Sequence, residues 1–126
     1  MACVLAVDDL KSMRHMMSLT LSDAGFEVKK ANNGREALQK LVDARPDLIL
    51  ADIDMPKMDG LELTRSIRTN PALANIPVLL VSTDAQSGEL DIPRAKAAGA
   101  DGWLCKPLNS EQLVDAINRL VLSNNE

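Results

Sequence analysis

The sequence predicts an α/β fold, a doubly wound five-stranded parallel sheet flanked by five helices. Three observations predict it. Five short apolar runs recur along the chain, at Cys3 to Val7, Phe26 to Lys30, Leu48 to Ala51, Val78 to Val81 and Trp103 to Cys105. The stretches between them have helical periodicity, so the pattern is strand then helix, repeated five times. Apolar residues make up 46% of the 126, yet Phe26 and Trp103 are the sole aromatic residues. An aliphatic core of this kind suits helices packed on a sheet, and right-handed crossovers between parallel strands place helices on both faces.

The elements follow in order. After the first run, Met13, Met17, Leu21 and Ala24 share one helical face, and Gly25 stands where a C-cap needs a left-handed residue. After the second, Asn33 and Glu36 have the spacing of a capping box, and Asp59 and Glu62 repeat it after the third. Pro93 breaks a hydrogen bond in mid-helix but suits a first turn, so the fourth helix is expected to start late and be short. Asn109 is the expected cap of the last helix, whose apolar face carries Leu113, Ile117, Leu120 and Val121. Residues 1–126 read as one domain, with Ser123 to Glu126 as a frayed tail.

Composition excludes several classes of function. The net charge of −4 comes from 18 acidic and 14 basic residues with no basic cluster in the sequence, which argues against nucleic-acid binding. No apolar run approaches the roughly 20 residues that span a bilayer, and the first residues lack the features of a signal peptide. The expectation is a cytosolic monomer. Cys3 and Cys105 lie in apolar runs and are expected to be buried, reduced thiols. His15 is expected on a helix surface, and Met13, Met16 and Met17 in packing.

The strand ends carry the chemistry. Asp8 and Asp9 follow Val7; Asp52, Ile53 and Asp54 follow Ala51; Ser82 follows Val81; Lys106 follows Cys105. In a doubly wound sheet the carboxyl ends of the strands converge on a crevice. Carboxylates gathered there repel one another, and a hard divalent cation relieves the repulsion; Mg²⁺ suits best, because it takes a few carboxylates and keeps positions for water and phosphate oxygens. A carboxylate beside Mg²⁺, a hydroxyl and a lysine form an arrangement for phosphoryl transfer.

These residues carry a family resemblance. Val-Leu-Ala-Val-Asp-Asp at the start, Asp-Leu-Ile-Leu-Ala-Asp-Ile-Asp-Met-Pro-Lys-Met-Asp-Gly-Leu-Glu-Leu from 47, and Ala-Ala-Gly-Ala-Asp-Gly-Trp-Leu-Cys-Lys-Pro-Leu from 97 resemble the receiver domain of bacterial response regulators, above all the single-domain CheY-like chemotaxis type, whose fold is flavodoxin-like. The resemblance implies that Asp52 accepts the phosphoryl group. It implies that Asp8 and Asp9 hold Mg²⁺ with Asp52, with the main-chain carbonyl of Asp54 as a further ligand. It implies that the Ser82 hydroxyl and the Lys106 ammonium bind the phosphoryl oxygens, and that Trp103 is a switch residue moving inward as Ser82 engages phosphate. The implied partners are a sensor histidine kinase, CheA-like in a chemotaxis system, or a histidine phosphotransfer protein, with the flagellar motor switch as an output.

Two departures from that pattern stand out. Asp54 replaces a usually neutral residue, and its charge would couple to a neighbour by about 2–3 kcal/mol at ~6 Å and an effective dielectric of about 20. The segment from Ser82 to Lys106, with Ser87-Gly88 and Ile92-Pro93, is also about two residues longer than in CheY-like chains. Two other uses fit the same receiver, a phosphorelay intermediate and a phosphate sink. A different class, the haloacid-dehalogenase-like phosphatases, also places an Asp-x-Asp pair after a strand, as Asp52 and Asp54 stand here, but wants Thr where this chain has Pro56.

Overall fold

The computed structural model describes residues 2–55, 58–82, 93–106 and 108–125. Along the chain lie β1 (Cys3–Val7), α1 (Lys11–Asp23), β2 (Glu27–Ala31), α2 (Gly34–Asp43), β3 (Leu48–Asp52), α3 (Gly60–Thr69) and β4 (Val78–Ser82). They are followed by helical residues 93–98, here α4, then β5 (Gly102–Cys105) and α5 (Ser110–Asn125). All strands are parallel, in the order β2-β1-β3-β4-β5. The five-stranded doubly wound sheet expected from the sequence is the observed one. Its order reverses between β1 and β3, the switch point at which ligands bind in such sheets.

Alternation along the strands divides the core in two. Leu5, Val7, Ile49, Ala51, Val78 and Leu80 face α2, α3 and α4, meeting Leu41, Leu63, Ile67 and Ala95. Val4, Ala6, Leu48, Leu50, Leu79 and Val81 face α1 and α5, meeting Met17, Leu21, Leu113 and Ile117. Both faces of β1, β3 and β4 are therefore covered, which explains their unbroken apolar runs.

The caps read from the sequence are in place. Asn33 accepts from the Glu36 amide at 3.0 Å, Asp59 from Glu62 at 2.8 Å and Asn109 from Gln112 at 3.1 Å. At the end of α1, Gly25 has φ +94, its amide bonds Ser22 O at 3.1 Å, and the Phe26 amide reaches Leu21 O at 3.0 Å. This is the Schellman closure, with Phe26 and Leu21 in one apolar cluster. Gly99, φ +99, closes α4 the same way through Lys96 O and Ala95 O.

Several expectations change: Met16, expected in packing, is exposed. Ala24 is exposed, because it is the C-cap of α1 and no longer on its inner face. Cys105 is exposed and Cys3 half-buried, both free thiols: Cys105 ends the edge strand, and Cys3 begins β1 at the rim of the sheet. Helix α5 runs through Asn125; Glu126 lies outside the described residues. Pro93 is the first described residue of α4, and the lengthened segment 83–92 before it lies outside the described residues.

At the amino ends of the strands Arg68, near the end of α3, draws several elements together. It donates to Gly99 O at 2.8 Å, Ala74 O at 3.0 Å, Ile76 O at 2.7 Å and Asp101 Oδ2 at 2.6 Å. Asp101 Oδ2 also accepts from the Val78 amide at 2.9 Å.

A methyl group at Gly25 meets nothing within 4 Å, so Gly25→Ala isolates the cost of the left-handed backbone. A loss of about 1–2 kcal/mol in urea unfolding is expected, with the slope unchanged.

Candidate functional site

Each strand end delivers a polar side chain because the apolar run stops there. Asp8 directly follows β1, Asp52 is the last residue of β3, Ser82 the last of β4, and Lys106 directly follows β5. Asp8, Asp52 and Ser82 are buried, at 0%, 2% and 2% exposure, while Asp9 is exposed. Carboxylate oxygens of Asp8, Asp9 and Asp52 lie within 4.8 Å of one another. Lys106 Nζ sits 2.7 Å from Asp52 Oδ2 and 3.7 Å from Asp8 Oδ2. The Lys106 amide bonds Ser82 O at 3.0 Å, tying the β4 and β5 ends together.

The oxygens are partnered unevenly. Asp52 Oδ1 accepts from the Asp54 amide at 3.1 Å, and Asp8 Oδ1 from the Leu10 amide at 2.9 Å. Asp8 Oδ2 is buried with no hydrogen-bond partner. Burial, and then the Asp52 charge, push the Asp8 carboxyl up to about 6, against the lowering effect of the Leu10 bond and of Lys106. Burial by itself would lower the Lys106 ammonium, but the bond to Asp52 and the charges of Asp52 and Asp8 outweigh it and raise it above the usual lysine range. Three hard oxygen donors, one of them buried and unsatisfied, fit a divalent cation.

The Asp54 carboxylate is exposed and outside this cluster; its main chain touches Asp52 instead. Solvent around an exposed carboxylate screens its coupling to the cluster, below the roughly 2–3 kcal/mol expected at ~6 Å and an effective dielectric of about 20. Trp103 is half-buried on the edge strand β5, packed against the core cluster on the α4 side, with Lys96 Nζ 5.3 Å from its ring centre.

The response regulator receiver domain matches residues 4–118. The chain belongs to the response regulator receiver domain family. Among solved structures, the receiver is similar to chemotaxis response regulator CheY4 of Vibrio cholerae. The two are 46% identical at TM-score 0.87, over 95% of this chain and 98% of that one. It is also similar to protein PilG of Pseudomonas aeruginosa, 34% identical over 120 residues, 95% of this chain and 87% of PilG. The gliding motility regulatory protein of Myxococcus xanthus is 41% identical over 118 residues, which cover 93% of this receiver but 15% of that protein.

Two residues that support the receiver site were not singled out by sequence. A Cβ at Gly60 would lie 2.5 Å from Asp52 O and 3.0 Å from Ile53 Cα, so α3 begins against the main chain of Asp52 only because this residue lacks a side chain. Arg14 donates to Asp8 O at 2.7 Å, holding the main chain at the end of β1. The Met-Asp-Gly text contained the first signal; the second, across six residues, has no local signature.

The raised Asp8 carboxyl makes a pH-dependent prediction. The folded chain holds the Asp8 proton more tightly than the unfolded one, so this contribution to stability is present below about pH 4 and lost as pH rises through about 6. Asp8→Asn keeps an acceptor for Leu10 and removes the titration. In metal-free buffer above pH 7 it should therefore stabilise the fold by about 1–3 kcal/mol, an advantage that shrinks toward pH 4. Denaturant titrations across that range test it.

Proposed function

We propose that this receiver accepts a phosphoryl group from a phosphohistidine onto Asp52 and signals through protein contacts in a chemotaxis-type pathway. The observation that carries the reading is the buried Asp52 carboxylate at the switch point, with Lys106 Nζ 2.7 Å away and two further carboxylates beside it. Asp8, Asp9 and Asp52, with the Asp54 carbonyl, would hold Mg²⁺, which when bound supplies charge neutralisation for the phosphoryl oxygens.

The chain's own residues do the rest. An Asp52 oxygen attacks phosphorus; the O–P bond forms as the P–N bond to the donor imidazole breaks, and the product is an acyl phosphate. Lys106, fixed by the β4–β5 tie, offsets the charge gathering on the transferring oxygens, and the Ser82 hydroxyl donates to one of them. Hydrolysis reverses the load: water attacks phosphorus, inorganic phosphate leaves and the Asp52 carboxylate returns. The chain is then a switch that processes only its own phosphoryl group.

Kinship with the chemotaxis response regulator CheY4 favours the chemotaxis-type assignment over use as a relay intermediate or sink. The family match and the exposed position of Asp54 outside the cluster speak against the dehalogenase-like phosphatase. The switch is proposed to run through Trp103, with closure of the Ser82 region on phosphate drawing the indole inward.

Incubation with Mg²⁺ and acetyl phosphate should add one hydroxylamine-labile phosphoryl group. Asp52→Asn or EDTA should abolish it; labelling that survives either one contradicts the assignment. Tryptophan emission, which comes from Trp103 alone, should change when Mg²⁺ and beryllofluoride are added together, and Ser82→Ala should blunt the change. An unmoved spectrum with Asp52 occupied would make Trp103 a packing residue.

A further inference from the structure

We infer that the cleft between α1, the end of β2 and α2 is a binding site for a small polyanion of the phosphate class. It is one strand out from the acidic cluster, is an open hollow of ≈ 310 Å³, and is bordered by Lys11, Arg14, His15, Lys30 and Lys40, with Glu36 its single carboxylate. This is a strongly basic hollow in a chain whose net charge is −4.

The one carboxylate is already engaged. Glu36 accepts from Asn32 Nδ2 at 3.0 Å and faces Lys40 Nζ at 3.6 Å, and Lys40 also donates to Lys30 O. Lys11, Arg14 and Lys30 have no carboxylate within ion-pair distance among the described residues. Arg14 is half-buried and anchored through one nitrogen to Asp8 O at 2.7 Å, which leaves other donors of its planar fork for a ligand. A fixed guanidinium with ammonium groups around it suits phosphate oxygens, and the volume matches the small end of ligand pockets. Three chain segments wall the cleft, which favours a compact ligand over an extended acidic protein surface.

Inorganic pyrophosphate is the probe, added to the full chain in EDTA so that no divalent ion bridges it to Asp8, Asp9 and Asp52. Saturable amide shifts at Arg14, Lys30, Ala31 and Asn32 are expected in ¹H–¹⁵N spectra. The double variant Lys11→Gln, Lys30→Gln alters exposed residues and should melt normally, but should bind about tenfold more weakly through lost charge-assisted contacts. Lys29→Gln, on the opposite face of β2, should bind like the parent. Shifts that do not saturate, that persist unchanged in the double variant, or that centre on Asp52 and Lys106 would overturn the site. Binding of an oligoglutamate peptide where pyrophosphate fails would overturn the small-ligand assignment in favour of an acidic protein partner.

Discussion

Lys106 Nζ stands 2.7 Å from Asp52 Oδ2 and 3.7 Å from Asp8 Oδ2, one ammonium facing two buried carboxylates. The rest of the site follows from that unequal charge. Taking these groups out of water is costly, and the attraction to a single cation does not fully offset it. The unsatisfied Asp8 Oδ2 and the raised Asp8 carboxyl are two expressions of the same deficit. A proton on Asp8 relieves it in one way; on the proposed reading, a divalent cation relieves it in another and prepares Asp52 for a phosphoryl group.

The two ends of the sheet are built on opposite terms. At the amino ends, Arg68 and Asp101 satisfy one another and several backbone groups, so a network of hydrogen bonds holds the loops there. At the carboxyl ends, charge is left uncompensated, and the structure fixes the backbone around it instead. Gly60 brings the start of α3 against Asp52 O, Arg14 holds Asp8 O, and the Lys106 amide bonds Ser82 O. A main chain held by hydrogen bonds around one unsatisfied carboxylate oxygen fits the preorganised phosphoryl site proposed above.

Much of this is legible in the sequence because it depends on local pattern. Strand runs, capping residues and Gly25 each follow from side-chain chemistry over a few positions. The polar residues that end or follow the runs, Asp8, Asp9, Asp52, Ser82 and Lys106, are the same ones that gather at the carboxyl ends of the strands. What the sequence leaves unread depends on packing between distant segments. The space that excludes a side chain at Gly60 is created by β3, and the partners of Arg68 lie 6 to 33 residues away. The basic cleft has no sequence signature for the same reason: Lys11, Arg14, Lys30 and Lys40 are scattered along the chain and meet only when α1 and α2 flank the end of β2. The burial of Cys105 is misread from sequence because an apolar run says nothing about whether its strand lies at the sheet edge, where Cys105 is exposed.

On the proposed reading, a proton and a divalent cation compete to offset one buried deficit at Asp8 and Asp52. Calorimetric titration with Mg²⁺ in buffers of different ionisation enthalpy tests it directly, by counting ions bound and protons released. One ion per chain is expected, with a substantial fraction of a proton released near pH 6, little released near pH 8, and none attributable to this site in Asp8→Asn. Saturable binding without proton release at pH 6, or no saturable binding at millimolar Mg²⁺, would contradict it.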